Sequence, residues 1–139
     1  MLNNDRLFQA LLTSIATSAG MDINSVAADL DVNSIDFIPF ITHSSSAAQD
    51  KNGPNLWSVQ LDVSIFLETG ATPFTFVQDI YDGIHAWDSP AMTGIVSGVG
   101  AVVSIDQEIN AFRRTQDGVK MLNKLVAQYV GSWQLTVRT

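Results

Sequence analysis

KLVAQYVGSWQLTVRT, residues 124–139, decides the reading of this chain, because its apolar residues recur with a period of two. Leu125, Ala127, Tyr129, Gly131, Trp133, Leu135 and Val137 fall on one side, and Lys124, Gln128, Ser132, Gln134, Thr136 and Arg138 on the other. Successive side chains of a strand point to opposite faces, so the pattern is that of a half-buried strand. About 14 residues at about 3.4 Å each extend roughly 48 Å. A compact chain of this length has a radius of gyration near ~14 Å and is roughly 37 Å across. The strand is thus expected to overhang its own body, unless Gly131 folds it back as a bulge. The alternative is that a neighbouring copy covers the row of Tyr129, Trp133 and Leu135, which is costly to leave wet and whose edges invite pairing. A closed ring sealed by this hairpin would leave no such edge free.

Working outward, Ala101, Val103, Ile105, Ile109 and Ala111 alternate in a strand that runs on to Arg114, and Gln116–Asp117–Gly118 carries the Asp-Gly signal of a hairpin turn. Ahead of it, GIVSGVG (94–100) reads as a bend or a close backbone approach. It lacks the Gly-Lys-Ser/Thr ending of a phosphate loop and leads into a strand. The plainest strand carries Trp57, Val59, Leu61, Val63, Ile65 and Leu67 on one face and Ser58, Gln60, Asp62, Ser64 and Glu68 on the other. Thr72 and Pro73 then open a helix with Phe76, Val77, Ile80, Tyr81, Ile84 and Trp87 as its apolar stripe. An earlier helix spans Asn4 to Ala19, with Asn3 or Asn4 as N-cap and Gly20 as terminator. Val26–Leu30 gives a short helical hint, and Ile35–His43 reads as a strand whose Pro39 requires an edge or a bulge. SSSAAQDKNGPN, Ser44 to Asn55, reads as a long polar loop. The expected fold is one domain, residues 1–139, of the α+β class. It is an antiparallel four-stranded sheet with helices on one face, in the order helix, strand, strand, helix, strand, strand.

Charged residues make up only 15% of the chain, against roughly 25% in an average soluble domain. So neutral a surface suits cover by other subunits, or is simply rich in Ser, Thr, Asn and Gln. The formal charge is −7, with no run of Lys or Arg, so phosphate-backbone binding lacks its attractive term. The chain has no cysteine, which removes thiolate nucleophiles and zinc–cysteine sites. No apolar run approaches the roughly 20 residues that span a bilayer, and MLNNDRLFQA lacks the features of a signal peptide. A cytoplasmic protein without membrane contact is expected.

Chemistry-bearing groupings are sparse. Asp79, Asp82 and His85 share one helical face, but no ligand from a second element can be named, so a solvated face is expected and no metal or cofactor. Ser44, Ser45 and Ser46 beside His43 lack a nucleophile turn, and Asp106 with Glu108 reads as a wet strand face. No catalytic residue is assigned, and the chain is not expected to be an enzyme. Arg113 and Arg114, two of seven basic residues, suit carboxylates of a neighbouring copy such as Asp79 or Asp82.

LWSVQLDVSIFLE, PFTFVQDIYDGIHAW, INAFRRTQ and the closing YVGSWQLTVR, in this order in an acidic, cysteine-free chain, resemble the tail terminator proteins of long-tailed bacteriophages. The resemblance implies a hexameric ring that binds the last ring of the major tail tube protein, stops its polymerisation and offers a surface to a head-completion or connector protein. DNA would pass through the ring without being gripped. It implies a place at the head-proximal end of the virion tail, reached by assembly in the host cytoplasm. By position, Ser44, Ser45, Ser46, Gln49, Asp50, Lys51 and Asn52 are candidates for touching the tube, and Arg113, Arg114, Tyr129, Trp133, Leu135, Asp79 and Asp82 for subunit contacts. A head–tail connector or minor tail protein is the alternative reading, and a small ligand-binding domain the remote one.

Overall fold

A computed structural model of the chain describes residues 3–28, 39–49, 53, 55–68, 73–88, 93–121 and 124–139. Helix α1 is Asn4–Ser18 and helix α2 is Pro73–His85. The strands are β1 (Val26–Ala27), β2 (Phe40–Gln49), β3 (Leu56–Glu68), β4 (Ile95–Val96), β5 (Gly100–Met121) and β6 (Lys124–Arg138). They form one sheet in the order β1-β2-β3-β6-β5-β4. β1 joins β2 in parallel, and every other pairing is antiparallel.

This corrects the expected fold: the sheet is six-stranded and mixed, where an antiparallel four-stranded sheet was expected. The two additions, β1 and β4, are two residues long and too short to carry a period of their own. Val26 and Ala27, expected to be helical, are held extended beside Ile41 and Thr42. Ile95 and Val96 fold back on Ala101 and Gly100 through a turn at Gly98, whose φ is +75°. Gly94 is a close approach: a Cβ there would stand 2.7 Å from the Trp87 carbonyl oxygen.

β2 corrects a second expectation, since the strand runs through Ser44–Gln49, where a loop was expected. Those six residues pair without interruption to Asp62, Leu61, Gln60, Val59, Ser58 and Trp57. Hydroxyls and small side chains weaken a strand signal, and a long apolar neighbour supplied the missing preference. Of the expected strand over Ile35–His43, residues 35–38 lie outside the described residues, as do Leu30 and Thr72.

α1 forms as its caps dictate. The Asn3 side-chain oxygen accepts from the Arg6 amide at 3.0 Å, and at the other end Gly20 takes φ +91° while Met21 N–H donates to the Ala16 carbonyl at 2.9 Å. Leu7, Phe8, Leu11, Leu12 and Ala16 of α1 and Ile80 and Ile84 of α2 bury themselves against Val59, Leu61, Val63, Ile65, Trp133, Leu135 and Val137. Both helices therefore cover the apolar face of β3 and β6.

The terminal hairpin departs most from its reading. β6 pairs with β3 from Leu56↔Arg138 to Glu68↔Val126 without a register shift, so it lies inside the sheet along its length. β5 continues past Gln116–Asp117–Gly118 to Met121, and the Asp-Gly pair sits at one of six irregularities in the β5–β6 register. Glycine that can open a hairpin serves a bulge equally well. Gly131 is not itself a bulge of the β3–β6 pair: a Cβ there would meet Trp133 Cη2 at 2.6 Å and Phe112 Cδ1 at 3.1 Å, so its bare backbone makes room for the indole.

Candidate assembly surface

The sheet presents two unlike faces. Under the helices it is apolar; on the other side Ser58, Gln60, Asp62 and Ser64 of β3 face outward with Gln128, Ser132, Gln134 and Thr136 of β6. These side chains tie the two strands together, one bond directly across a pair and two on the diagonal. Gln134 Nε2 donates to Ser58 Oγ at 2.6 Å, Ser132 Oγ to Asp62 Oδ1 at 2.5 Å and Gln128 Nε2 to Ser64 Oγ at 3.4 Å. Ser44 and Ser46 of β2 extend the same face, as do Ser104, Gln107, Asn110 and Arg113 of β5. At one end the face becomes apolar, where Phe40, Phe66 and Val126 bury one another.

β5 explains how carboxylates two residues apart part company. Register shifts fall between Val102 and Ser104, Ile105 and Gln107, and Glu108 and Asn110, so an extra residue enters about every third position. Asp106 accepts from Ser104 and Thr136 hydroxyls, each at 2.6 Å, on the polar face. Glu108 stands opposite Trp133 on the helix side. The expectation of one wet face for both is corrected by these shifts. Val103 and Ile109, 46% and 40% exposed, are extra residues of this kind, left facing solvent.

The interface candidates divide. Trp133 and Leu135 are wholly buried in the chain's own core, and Tyr129 is half-buried against it, which removes the overhanging row as a reason for self-association. Arg113 and Arg114 are both exposed on β5, but they stand opposite Val130 and Tyr129 and so face opposite sides of the sheet. Asp79 and Asp82 are exposed on α2, with Asp82 accepting from Gln78 Nε2 at 2.8 Å. Of the tube-contact candidates, Ser44, Ser45, Ser46 and Gln49 belong to β2, and Asp50, Lys51 and Asn52 lie outside the described residues.

Neither histidine behaves as its position suggested. His85 leaves the line of Asp79 and Asp82, and its Nε2 lies 3.2 Å from Trp133 Nε1 and 3.3 Å from Glu108 Oε1. As an acceptor Nε2 serves the indole; carrying a proton it serves the carboxylate. Tyr81 stacks on His85 at 4.3 Å, and the Glu108 carboxylate that takes its hydroxyl hydrogen holds the phenol above its ordinary range, with burial adding to the shift. His43, 3% exposed, meets Gln9 Oε1 through Nε2 at 2.8 Å, and its Nδ1 has no partner. Burial pushes its pKa below 6.5, opposed by the nearby Asp5 charge. Sequence spacing gave no signal for either cluster, since each joins elements far apart in the chain. Among the described residues no group of three His, Asp or Glu side chains is placed to hold a metal ion, and no helix is long and apolar enough to cross a membrane.

No family model matches the sequence, and no curated protein matches it.

Proposed function

We propose that this chain is a ring-forming structural subunit of a long-tailed phage, a tail terminator that caps the tube, halts its polymerisation and offers its outer surface to a head-completion protein. The observation that carries the reading is a sheet whose two sides, among the described residues, each leave a length of strand edge unpaired, in a chain poor in charged residues. Unpaired strand edges are templates for another chain, and a protein that leaves two of them open is suited to repeat. The sequence resemblance supports the phage role. The segments that carry it, β3, α2, β5 and β6, are packed together in one body.

The mechanism is templated capping. A ring seats on the last ring of tube protein, occupies the growing surface through shape and edge complementarity, and breaks no covalent bond. A net charge of −7 weakens any hold on DNA passing through. The test is polymerisation of purified tail tube protein with and without this chain, read by negative-stain microscopy. Shortened tubes with one capped end are expected; an unchanged length distribution overturns the reading. Particles lacking the protein discriminate further, because overlong tubes mean termination, and separated heads and finished tails mean a connector.

A further inference from the structure

The two edges that no described strand covers are chemically matched. On β2, the Ile41 amide donates outward to Ser25 O at 2.7 Å, so by strand alternation the backbone groups of His43, Ser45 and Ala47 also point away from β3. β1 ends at Ala27↔Thr42, and among the described residues no strand continues along that edge. Ser44–Gln49 contains no charge, no proline and no register shift, the devices by which edges are ordinarily guarded.

On the opposite side, β4 covers Gly100 and Ala101, Gly94 O accepts from the Val102 amide at 2.8 Å, and Asp88 Oδ2 accepts from the Ile105 amide at 3.0 Å. From Gln107 onward no described residue lies along the outer edge of β5 as a strand. The polar face supplies the second match. β3 and β6 are joined by amide-to-hydroxyl pairs, Gln134 to Ser58 and Gln128 to Ser64. β2 and β5, the long strands flanking β3 and β6, carry the two halves of that pair separately: hydroxyls at Ser44 and Ser46, amides at Gln107 and Asn110, all on one face.

We infer that the outer edge of β2 in one copy pairs with the outer edge of β5, from Gln107 onward, in the next copy, so that one sheet continues from subunit to subunit. This rests on the ring reading above and names the contact that builds the ring. The antiparallel steps from β2 to β3 to β6 to β5 leave β2 and β5 running in opposite directions, so copies turned about a common axis bring them together antiparallel with their polar faces aligned. Because the two edges differ, each contact is heterologous and leaves one β2 edge and one β5 edge free for a further copy until the rotation between copies closes the ring. Bulges along β5 bend the sheet at the joint, which closure into a ring requires. Pairing of β2 with β2 would set hydroxyl against hydroxyl, and pairing of β5 with β5 amide against amide.

The absence of cysteine makes the test clean. Chains carrying Ser46→Cys together with Asn110→Cys, and the neighbouring registers Ser44→Cys and Gln107→Cys, are oxidised mildly and run without reductant. At least one β2/β5 double variant is expected to give a ladder of covalent multimers ending at the ring size. A ladder from none of the doubles, in a protein that still forms rings by native mass spectrometry, overturns this contact and leaves the ring reading standing. Dimers from the β2 single variants as abundant as the doubles' products overturn it likewise. Wild-type protein that stays monomeric at all concentrations overturns the ring reading itself. As a second readout, Ala47→Pro removes an outward N–H, and is expected to shift ring to monomer while the monomer's melting temperature stays within a few degrees. Unimpaired rings from the folded variant overturn the contact.

Discussion

His43 shows what one buried side chain adds. Burial of the ring holds its pKa below 6.5 in the folded form against the pull of the Asp5 charge; its Nε2 serves Gln9, and a proton added at Nδ1 would find no acceptor. The unfolded chain therefore takes up the proton first, and stability rises with pH. The contribution is complete above about 6.5 and is lost as pH falls through the folded value. Replacing His43 with Gln should cost stability at pH 7 and less at pH 5; a melting-temperature gap that stays constant between them would remove the argument. Gly131 is the other telling residue, because a Cβ 2.6 Å from Trp133 Cη2 forces the buried indole to move. Gly131→Ala should destabilise by about 1–3 kcal/mol in urea unfolding, with a shifted Trp emission. The glycine was conspicuous in the sequence, but its tenant was not.

At the scale of elements, caps and periods were readable where they were local. α1 starts at the cap Asn3 supplies and ends at the left-handed Gly20. β3 and β6 follow their period of two. Ser44–Gln49 was not readable as strand, because a run of serines and alanines acquires its conformation from β3 alongside. Gly83 marks where the helices meet: a Cβ on it would stand 2.6 Å from Ile15 Cγ2, a side-chain tip. Gly83→Ala should gain helix propensity yet lose more by overpacking, a net loss of about 1 kcal/mol or more. Ile15→Ala in the same chain should recover most of it, and a double variant no better than G83A in thermal unfolding would contradict the contact.

For the whole molecule, charge and assembly are linked. A subunit at −7 repels its copies, and a neutral edge contact has no ion pairs for salt to weaken. Raising NaCl from about 50 to about 500 mM should strengthen subunit association in sedimentation experiments, since the Debye length shortens from roughly 14 to roughly 4 Å. Association that weakens with salt would instead point to ion pairs between Arg113 or Arg114 and carboxylates of a neighbouring copy. By itself the sequence determined the limits of α1, the alternating faces of β3 and β6, the acidic, low-charge surface and the absence of thiol chemistry, because each follows from residues close together in the chain or from composition alone. Only the tertiary structure decided that Trp133 and Leu135 are core, that β5 is shifted about every third residue, that His43 and His85 are partnered across the chain, and that the described residues form a sheet of six strands in which no described strand pairs along the outer edges of β2 beyond Thr42 and of β5 beyond Ala101. Burial and edge exposure depend on which distant segment arrives alongside, and a period of two records the alternation of a strand without recording its neighbours.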